Sequence, residues 1–335
     1  MKKTKITPQV VFVTGADGML GASICRELIE IGFEVIGLVM PNRNVNVLDN
    51  LNMTIIQGDL LDPASYESIL PNVDYIINVA ALTNIWPRKS EIVSKVNLNG
   101  ALLIAELVLK YQIKRFIQIG SASSFGNGTE ENPANESFRY DSAKYNVDYI
   151  TSKYLAQKAL LELHQEKQLP VLIINPTYMI GPFDSGPSSG KMILEFCKGK
   201  LPAFPSGGKN FIFSLDVAKA VVNSLSKGRL GECYIVGNEN LSFADFLKKV
   251  AETNNMKFNI IKVPNFVMYL LGIVNSMSAR IFKKTPQISF TMAKMSTVRQ
   301  FYSAQKAIDE LDLPQTPIEN AINECIKWFK QNDYI

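Results

Sequence analysis

Val10-Val11-Phe12-Val13-Thr14-Gly15-Ala16-Asp17-Gly18-Met19-Leu20-Gly21 decides how the rest of the chain is read. Five β-branched or aromatic residues in a row read as a buried strand, and residues 20–31 carry apolar side chains at three and four spacing, which reads as a helix. Three glycines between such a strand and such a helix form a dinucleotide-binding turn. Gly15 permits the tight bend, Gly18 lets the backbone approach a pyrophosphate, and Gly21 lets helix and strand pack closely. The helix N-terminus, beginning at Met19 and Leu20, then presents free N–H groups and a partial positive charge to the phosphates.

Outward from this loop the texture repeats. Runs at 34–39, 54–57, 75–79, 115–119, 171–175 and 233–236 are β-branched or aromatic, and helical patterns at 89–111 and 149–166 lie between them. That alternation requires βαβ crossovers and a parallel sheet covered on both faces, so the fold class is α/β, doubly wound. From residue 181 onward Gly181-Pro182, Gly186-Pro187-Ser188-Ser189-Gly190 and Pro205-Ser206-Gly207-Gly208 mark loops that reach over a site. The expected division is a dinucleotide-binding part over 1–180, with a returning segment near 210–237. A smaller C-terminal substrate-binding lobe takes 181–209 and 238–335.

Composition bounds the functional classes. A chain of 335 residues, 47% hydrophobic and 20% charged, buries a sizeable core and is neither disordered nor fibrous. The net charge is only +4, and the doublets Lys2-Lys3, Lys248-Lys249 and Lys283-Lys284 lie far apart, so no nucleic-acid partner is expected. Met1-Lys2-Lys3-Thr4-Lys5 resembles the start of a signal peptide, but only 10–13 follow as an apolar stretch, and no secretion signal is read. Cys25, Cys197, Cys233 and Cys325 lack C-x-x-C spacing and read as reduced thiols of a cytoplasmic protein. The apolar stretch 263–273 is about half the length of a spanning helix and reads as a buried or pocket-covering one, so no membrane partner is expected. His164 is the only histidine and reads as a surface residue, and no metal site is expected.

Two Y-x-x-x-K patterns, Tyr149 with Lys153 and Tyr140 with Lys144, each set a phenol and an ammonium on one helix face. A phenol of pKa near 10 needs about 4 kcal/mol of preferential phenolate stabilisation to exchange protons near pH 7, which a neighbouring ammonium can supply. The run 115–119 ends at Gly120-Ser121, placing the Ser121 hydroxyl at the carboxyl edge of the sheet, where it can hold a carbonyl oxygen. Asp59, ahead of Leu60, either accepts from an adenine amino group or caps a turn before Pro63. The second strand ends Leu38-Val39-Met40-Pro41-Asn42-Arg43, with no carboxylate for ribose hydroxyls. Arg43 either meets a 2′-phosphate or is a solvated loop charge, and Asp17 opposes a second phosphate; the reading leans to NADP over NAD.

In order along the chain, these motifs resemble the extended short-chain dehydrogenase/reductases, the NAD(P)-dependent epimerase/dehydratase family. The resemblance rests on the T-G-x-x-G-x-x-G loop, Asp59-Leu60, Asn78-Val79-Ala80-Ala81, Asn97 in Val96-Asn97-Leu98, Ser121, Tyr149 with Ser152-Lys153, Asn175-Pro176-Thr177-Tyr178 and Asp216-Val217-Ala218. It implies a Rossmann fold whose cofactor runs along the glycine loop, Asp59, Leu60, Val79, Ala80 and Ala81. It selects Tyr149 over Tyr140, because the family motif continues S-K-x-x-x-E and is met by Ser152-Lys153 with Gln157 for the Glu. By resemblance Tyr149 is the general acid/base, Lys153 also binds the nicotinamide ribose, Asn97 supports the proton relay, Pro176 lies near the nicotinamide, and Ser123 assists Ser121.

Ala122-Ser123 stands where sugar dehydratases of the family have Asp-Glu, which speaks against dehydration. Asn78 replaces the His of many epimerases and weakens that reading, whereas Asn175 favours it as a residue near a nucleotide sugar's phosphates. The segment 175–193 is most similar to the dihydroflavonol 4-reductase-like branch, which reduces carbonyls of varied small molecules. The expected function is therefore NAD(P)-dependent reduction of a small-molecule carbonyl, with a nucleotide-sugar epimerase and a non-catalytic dinucleotide sensor as alternatives. Asn175, Tyr178 and Phe183 are the expected substrate contacts, with Phe125 and Phe204 as further apolar walls, each of the four aromatics reading equally as ordinary core, and 127–142 and 183–213 the covering segments. Relatives often dimerise through two helices, here 89–111 and 149–166, so a homodimer stays open.

Overall fold

The computed structural model describes residues 8–335; the basic start, Met1 to Lys5, lies outside them. The main sheet is built from β1 (Val10–Thr14), β2 (Glu34–Val39), β3 (Thr54–Gln57), β4 (Tyr75–Asn78), β5 (Arg115–Ile119), β6 (Val171–Pro176) and the strand Cys233–Val236. Their spatial order is Cys233–Val236, β6, β5, β4, β1, β2, β3, all pairs parallel. The winding reverses between β1 and β4, and a crevice opens there at the carboxyl ends of the strands.

Every strand of the sheet except the edge strand β3, which has no buried residue, feeds two cores by its period of two. Val11, Val13, Ile77, Ile117, Leu172 and Ile174 enter the layer shared with α1 (Met19–Glu30) and the helix Ser214–Asn223. Phe12, Ile76, Phe116, Val171 and Ile173 enter the opposite layer. Burial on both faces is why the strands read as unbroken apolar runs. The second layer holds α2 (Glu91–Ser94), α3 (Gly100–Lys110) and α4 (Asp148–Lys167). A π turn, Lys95–Asn99, joins α2 to α3 where the periodicity suggested one continuous helix, and Asn97 is buried within it. Asp148, at the start of α4, accepts from the Ser90 N–H at 2.7 Å and the Lys89 ammonium at 2.9 Å, which fastens α2 to α4.

Beyond β6 a four-stranded sheet combines Tyr178–Ile180, Gly208–Phe213, Glu239–Ser242 and Arg299–Gln300. The helices Lys191–Cys197, Phe243–Thr253 and Ile318–Gln331 pack on it around Phe211, Phe246 and Phe329.

Several expectations are corrected here. Most of the segment 263–273 lies in the helix Asn265–Ile281, in which only Met268, Gly272 and Ala279 are buried; Val267, Tyr269, Asn275 and Ser276 are half-buried and the other residues are exposed. His164 is half-buried, its Nδ1 2.8 Å from the Leu169 carbonyl oxygen, so it fastens the end of α4 rather than projecting into solvent. Phe125 and Phe204 are core residues of two different clusters, not walls of a pocket. All four cysteines are free, and burial pushes the Cys25 thiol up to about 12.

Candidate active site

The glycine turn is shaped by contacts that admit no side chain at two of its three glycines. Gly15 has φ +64°, and a Cβ there would lie 2.8 Å from the Ala80 Cα; at Gly21 a Cβ would lie 2.1 Å from the Gly15 carbonyl oxygen. Gly18 differs, because its Cβ would meet only that oxygen, at an ordinary 3.5 Å. The protein leaves open space beside Gly18. α1 starts there with no side-chain cap and no acidic residue in its first turn, so its N–H groups point to that space unpartnered. An uncapped helix end beside a glycine with free room fits a pyrophosphate.

At the outer edge of this loop the Arg43 Nε lies 3.3 Å from the Asp17 carboxylate. The two residues whose charges were weighed against each other are thus a pair. Asp59 accepts from the Leu61 N–H at 2.9 Å through one carboxylate oxygen, the turn-capping role, which leaves the other for a ligand. Val79, Ala80 and Ala81 line the same edge after β4, and all three are half-buried.

Ser121 follows β5 directly and begins a short turn, Ala122–Ser124, by accepting from the Ser123 N–H at 3.3 Å. The Ser121 and Ser123 hydroxyls are 2.8 Å apart, so Ser123 fixes the Ser121 hydroxyl. Burial raises the Tyr149 phenol above its ordinary range, and the neighbouring Ser121 hydroxyl opposes the rise. Lys153, 4% exposed, is lowered to about 8 by burial, and its ammonium donates to the Ile119 carbonyl oxygen at 2.7 Å. The expectation that Lys153 acidifies Tyr149 is therefore corrected for the cofactor-free protein: the ammonium faces the end of β5, and desolvation governs the phenol.

Asn97 clamps the chain after β4 from both sides. Its Oδ1 accepts from the Leu82 N–H, and its Nδ2 donates to the Leu82 carbonyl, each at 2.9 Å. The same Nδ2 reaches the Ser152 hydroxyl at 3.2 Å, which ties the clamp to the helix bearing Tyr149 and Lys153.

Tyr149 packs, with Ile85, Tyr140 and Met295, against a small buried cluster of Tyr145, Val147 and Ile150. Lys144, the partner of Tyr140 in the second Y-x-x-x-K, turns away to Asp141 at 2.6 Å. The expected substrate contacts are not gathered here. Asn175 is fully buried beneath the site, donating to the Ser121 carbonyl oxygen at 3.1 Å and to Gln157 at 2.8 Å. Its inward position in β6 holds the Ser121 backbone, and its Oδ1 is buried without a hydrogen-bond partner. The Tyr178 hydroxyl donates to the Ser189 carbonyl oxygen at 3.0 Å and its ring packs edge-on to Phe211. Phe183 packs under the Arg26 guanidinium, 4.0 Å from it, on the α1 side of the sheet. Pro176 closes β6, paired with Val236.

Sequence reasoning missed a buried polar chain behind these groups. The Thr14 hydroxyl donates to the Asn78 Oδ1 at 2.5 Å, the Asn78 Nδ2 donates to Gln118 at 2.8 Å, and the Gln118 Nε2 donates to the Ile119 carbonyl at 3.0 Å, the oxygen that also takes the Lys153 ammonium. A glutamine in the middle of an apolar strand was the available signal, because a buried amide requires partners.

A glycine turn before an uncapped helix, with a hydroxyl, a phenol and an ammonium at the same sheet edge, defines a nicotinamide-dinucleotide enzyme of the oxidoreductase class. Residues 11–237 match the NAD dependent epimerase/dehydratase family, and the chain belongs to it. It is 29% identical over 329 residues to a putative dihydroflavonol 4-reductase of Synechocystis, covering 97% of this chain and 95% of that protein. It is 25% identical over 326 residues to sterol demethylase protein B of Methylococcus capsulatus, covering 96% and 99%. The crystal structure of gox2253 superimposes with a TM-score of 0.85 at 31% identity, covering 98% of this chain and 99% of that one.

Proposed function

We propose that this protein is an NADP-preferring reductase of a carbonyl on an apolar, ring-bearing small molecule, with Tyr149 as its general acid. The observation that carries this reading is that the Ser121 hydroxyl neighbours the Tyr149 phenol where Tyr149 packs against the buried Tyr145, Val147 and Ile150. Such a surface suits an apolar ring system. The names of the two relatives, a dihydroflavonol reductase and a sterol demethylase protein, support the same class of molecule. Asn175 had favoured an epimerase, and its complete burial removes that support.

When bound, the reduced nicotinamide supplies the hydride to the carbonyl carbon. The Tyr149 hydroxyl gives its proton to the carbonyl oxygen, which becomes the alcohol, and the Ser121 hydroxyl holds that oxygen in place. Lys153, on the same helix, is held to the end of β5 through the Ile119 carbonyl in the cofactor-free protein; with cofactor bound, its positive charge and that of the oxidised nicotinamide would offset the phenolate left behind. Asn97 acts as a positioning residue, locking Leu82 and Ser152 around the helix.

Incubation with NADPH and a panel of aromatic and alicyclic ketones, simple aldehydes and nucleoside-diphosphate sugars tests the reading. NADPH oxidation by ring-bearing ketones is expected, abolished in Tyr149→Phe by about 100-fold or more with cofactor binding kept. Sugar interconversion without net NADPH oxidation, or full activity of Tyr149→Phe, overturns it.

A further inference from the structure

The helix Asn265–Ile281 is apolar on two opposite faces. Met268, Gly272 and Ala279 face the protein, where Gly272 lets the backbone close on the helix Phe290–Ser296 so tightly that a Cβ would lie 2.9 Å from the Ala293 methyl. On the other side Phe266, Leu270, Val274, Met277 and Ile281, 72, 59, 57, 58 and 71% exposed, follow one another at four, four, three and four residues. This spacing makes a single stripe along the helix. Phe282, just past its end, is 66% exposed and extends the stripe.

Along the stretch of chain that carries the stripe the charge has one sign, and of its cations only Arg299 and Lys306 pair with carboxylates, Glu130 and Glu232. Between Glu252 and Asp309 the chain contains no Asp or Glu. Lys257, Lys262, Arg280, Lys283, Lys284 and Lys294 fall in that interval, are exposed, and form no ion pair among the described residues.

We propose that this face docks on an anionic lipid bilayer, with the stripe lying in the headgroup boundary and the cations on the phosphates. An apolar stripe flanked by unpaired cations is what an interfacial helix requires, and it needs none of the length of a spanning one. The short run 263–273 therefore excludes a membrane-crossing helix without excluding a surface-lying one. A second copy of this chain is the poorer occupant. Pairing the face with itself sets the same cations against one another, with no carboxylate in the region to relieve them. The helix Phe290–Ser296, clamped under Gly272, carries Met295, which packs against the same Tyr145, Val147 and Ile150 core as Tyr149, so the docked face is joined to the candidate site through that core. If the carbonyl reading of Tyr149 holds, the substrate class narrows to carbonyl compounds that partition into the bilayer; membrane binding itself does not depend on that reading.

Co-sedimentation of the purified protein with vesicles of phosphatidylcholine alone, or with one third phosphatidylglycerol, tests the docking. Binding to the anionic vesicles is expected, at least tenfold tighter than to the neutral ones and weakened by added salt. Leu270→Glu/Val274→Glu/Ile281→Glu is expected to lose it by more than tenfold, and Lys283→Glu/Lys284→Glu to lose most of the anionic preference. Both keep NADPH binding and the thermal midpoint, because the changed side chains are exposed. Backbone hydrogen exchange of the wild-type protein reads the same surface without any substitution, and 265–282 should slow on adding anionic vesicles. Equal partition with both vesicle types, no binding to either, or a concentration-dependent dimer that protects 265–282 without lipid overturns the proposal. Failure of lipid binding with ketone reduction intact removes the docking surface alone, and lipid binding without turnover removes the reductase reading alone.

Discussion

The Lys153 ammonium donates to the Ile119 carbonyl oxygen at 2.7 Å, joining the helix that bears Tyr149 to the strand that ends at Ser121. It is buried with no carboxylate beside it, and desolvation alone brings it down from 10.5 to about 8. Below pH 8 the folded and unfolded chains both hold this proton, and burying the charge costs stability. Between pH 8 and 10.5 the folded protein has released the proton while the unfolded chain keeps it, so stability rises with pH through that window. The rise amounts to on the order of 3 kcal/mol at most. Thermal midpoints of the cofactor-free protein should climb from pH 7 to 10 relative to those of Lys153→Met, and parallel curves for the two proteins would refute the assignment.

Gly18 and Gly21 separate cofactor room from protein packing. Gly18 has φ −82°, which any residue adopts, and a Cβ there meets protein only at 3.5 Å. Gly18→Ala should melt within about 1 kcal/mol of the wild type yet bind NADPH at least tenfold more weakly, measured by fluorescence titration. Gly21→Ala forces a methyl to 2.1 Å from the Gly15 carbonyl oxygen. It should cost about 1–3 kcal/mol in urea unfolding with no cofactor present.

The inner strands were legible because they alternate apolar residues into two cores, and the exposed edge strand β3 because of its β-branched run; β1, β2, β3 and β5 run over the residues their sequence marks out. The glycine turn and the Ser121, Tyr149 and Lys153 set were legible because strand ends and one helical turn fix where those side chains emerge. The surroundings of Tyr149 were not, since Ile85, Tyr145 and Met295 come from three distant stretches that only tertiary packing joins. Tyr178 and Phe183 follow the right motif but are held by Ser189 and Arg26 instead. The helix Asn265–Ile281 misled for a different reason. Its apolar residues fill two opposite faces, and composition cannot say which of them the protein covers.

Cofactor preference should turn on the Arg43–Asp17 pair. Arg43 is exposed and held at 3.3 Å by one carboxylate oxygen, so a 2′-phosphate can draw it away at small cost. Arg43→Ala should raise KM for NADPH about tenfold and leave that for NADH within about twofold, since a charge-assisted contact contributes about 1–3 kcal/mol. Asp17→Asn should tighten NADPH. Equal effects of Arg43→Ala on both cofactors would leave Arg43 a surface charge and remove the NADP preference.

Asn78 and Gln118 are 1% and 3% exposed and bonded to each other at 2.8 Å, in the chain that runs from Thr14 to the oxygen holding Lys153. Removing either amide strands the other in a site without water, a cost of about 1–3 kcal/mol, whereas removing both leaves no orphan between them. In urea unfolding Asn78→Ala and Gln118→Ala should each destabilise by that amount, and the double variant by less than their sum by 0.5 kcal/mol or more, about the coupling expected for contacting residues. Because Gln118 also shares the Ile119 carbonyl with Lys153, Gln118→Ala should lower kcat with KM for the carbonyl substrate nearly constant. Strict additivity of the two substitutions, or a fall confined to KM, would mean that this buried chain holds the sheet together without setting the position of Lys153.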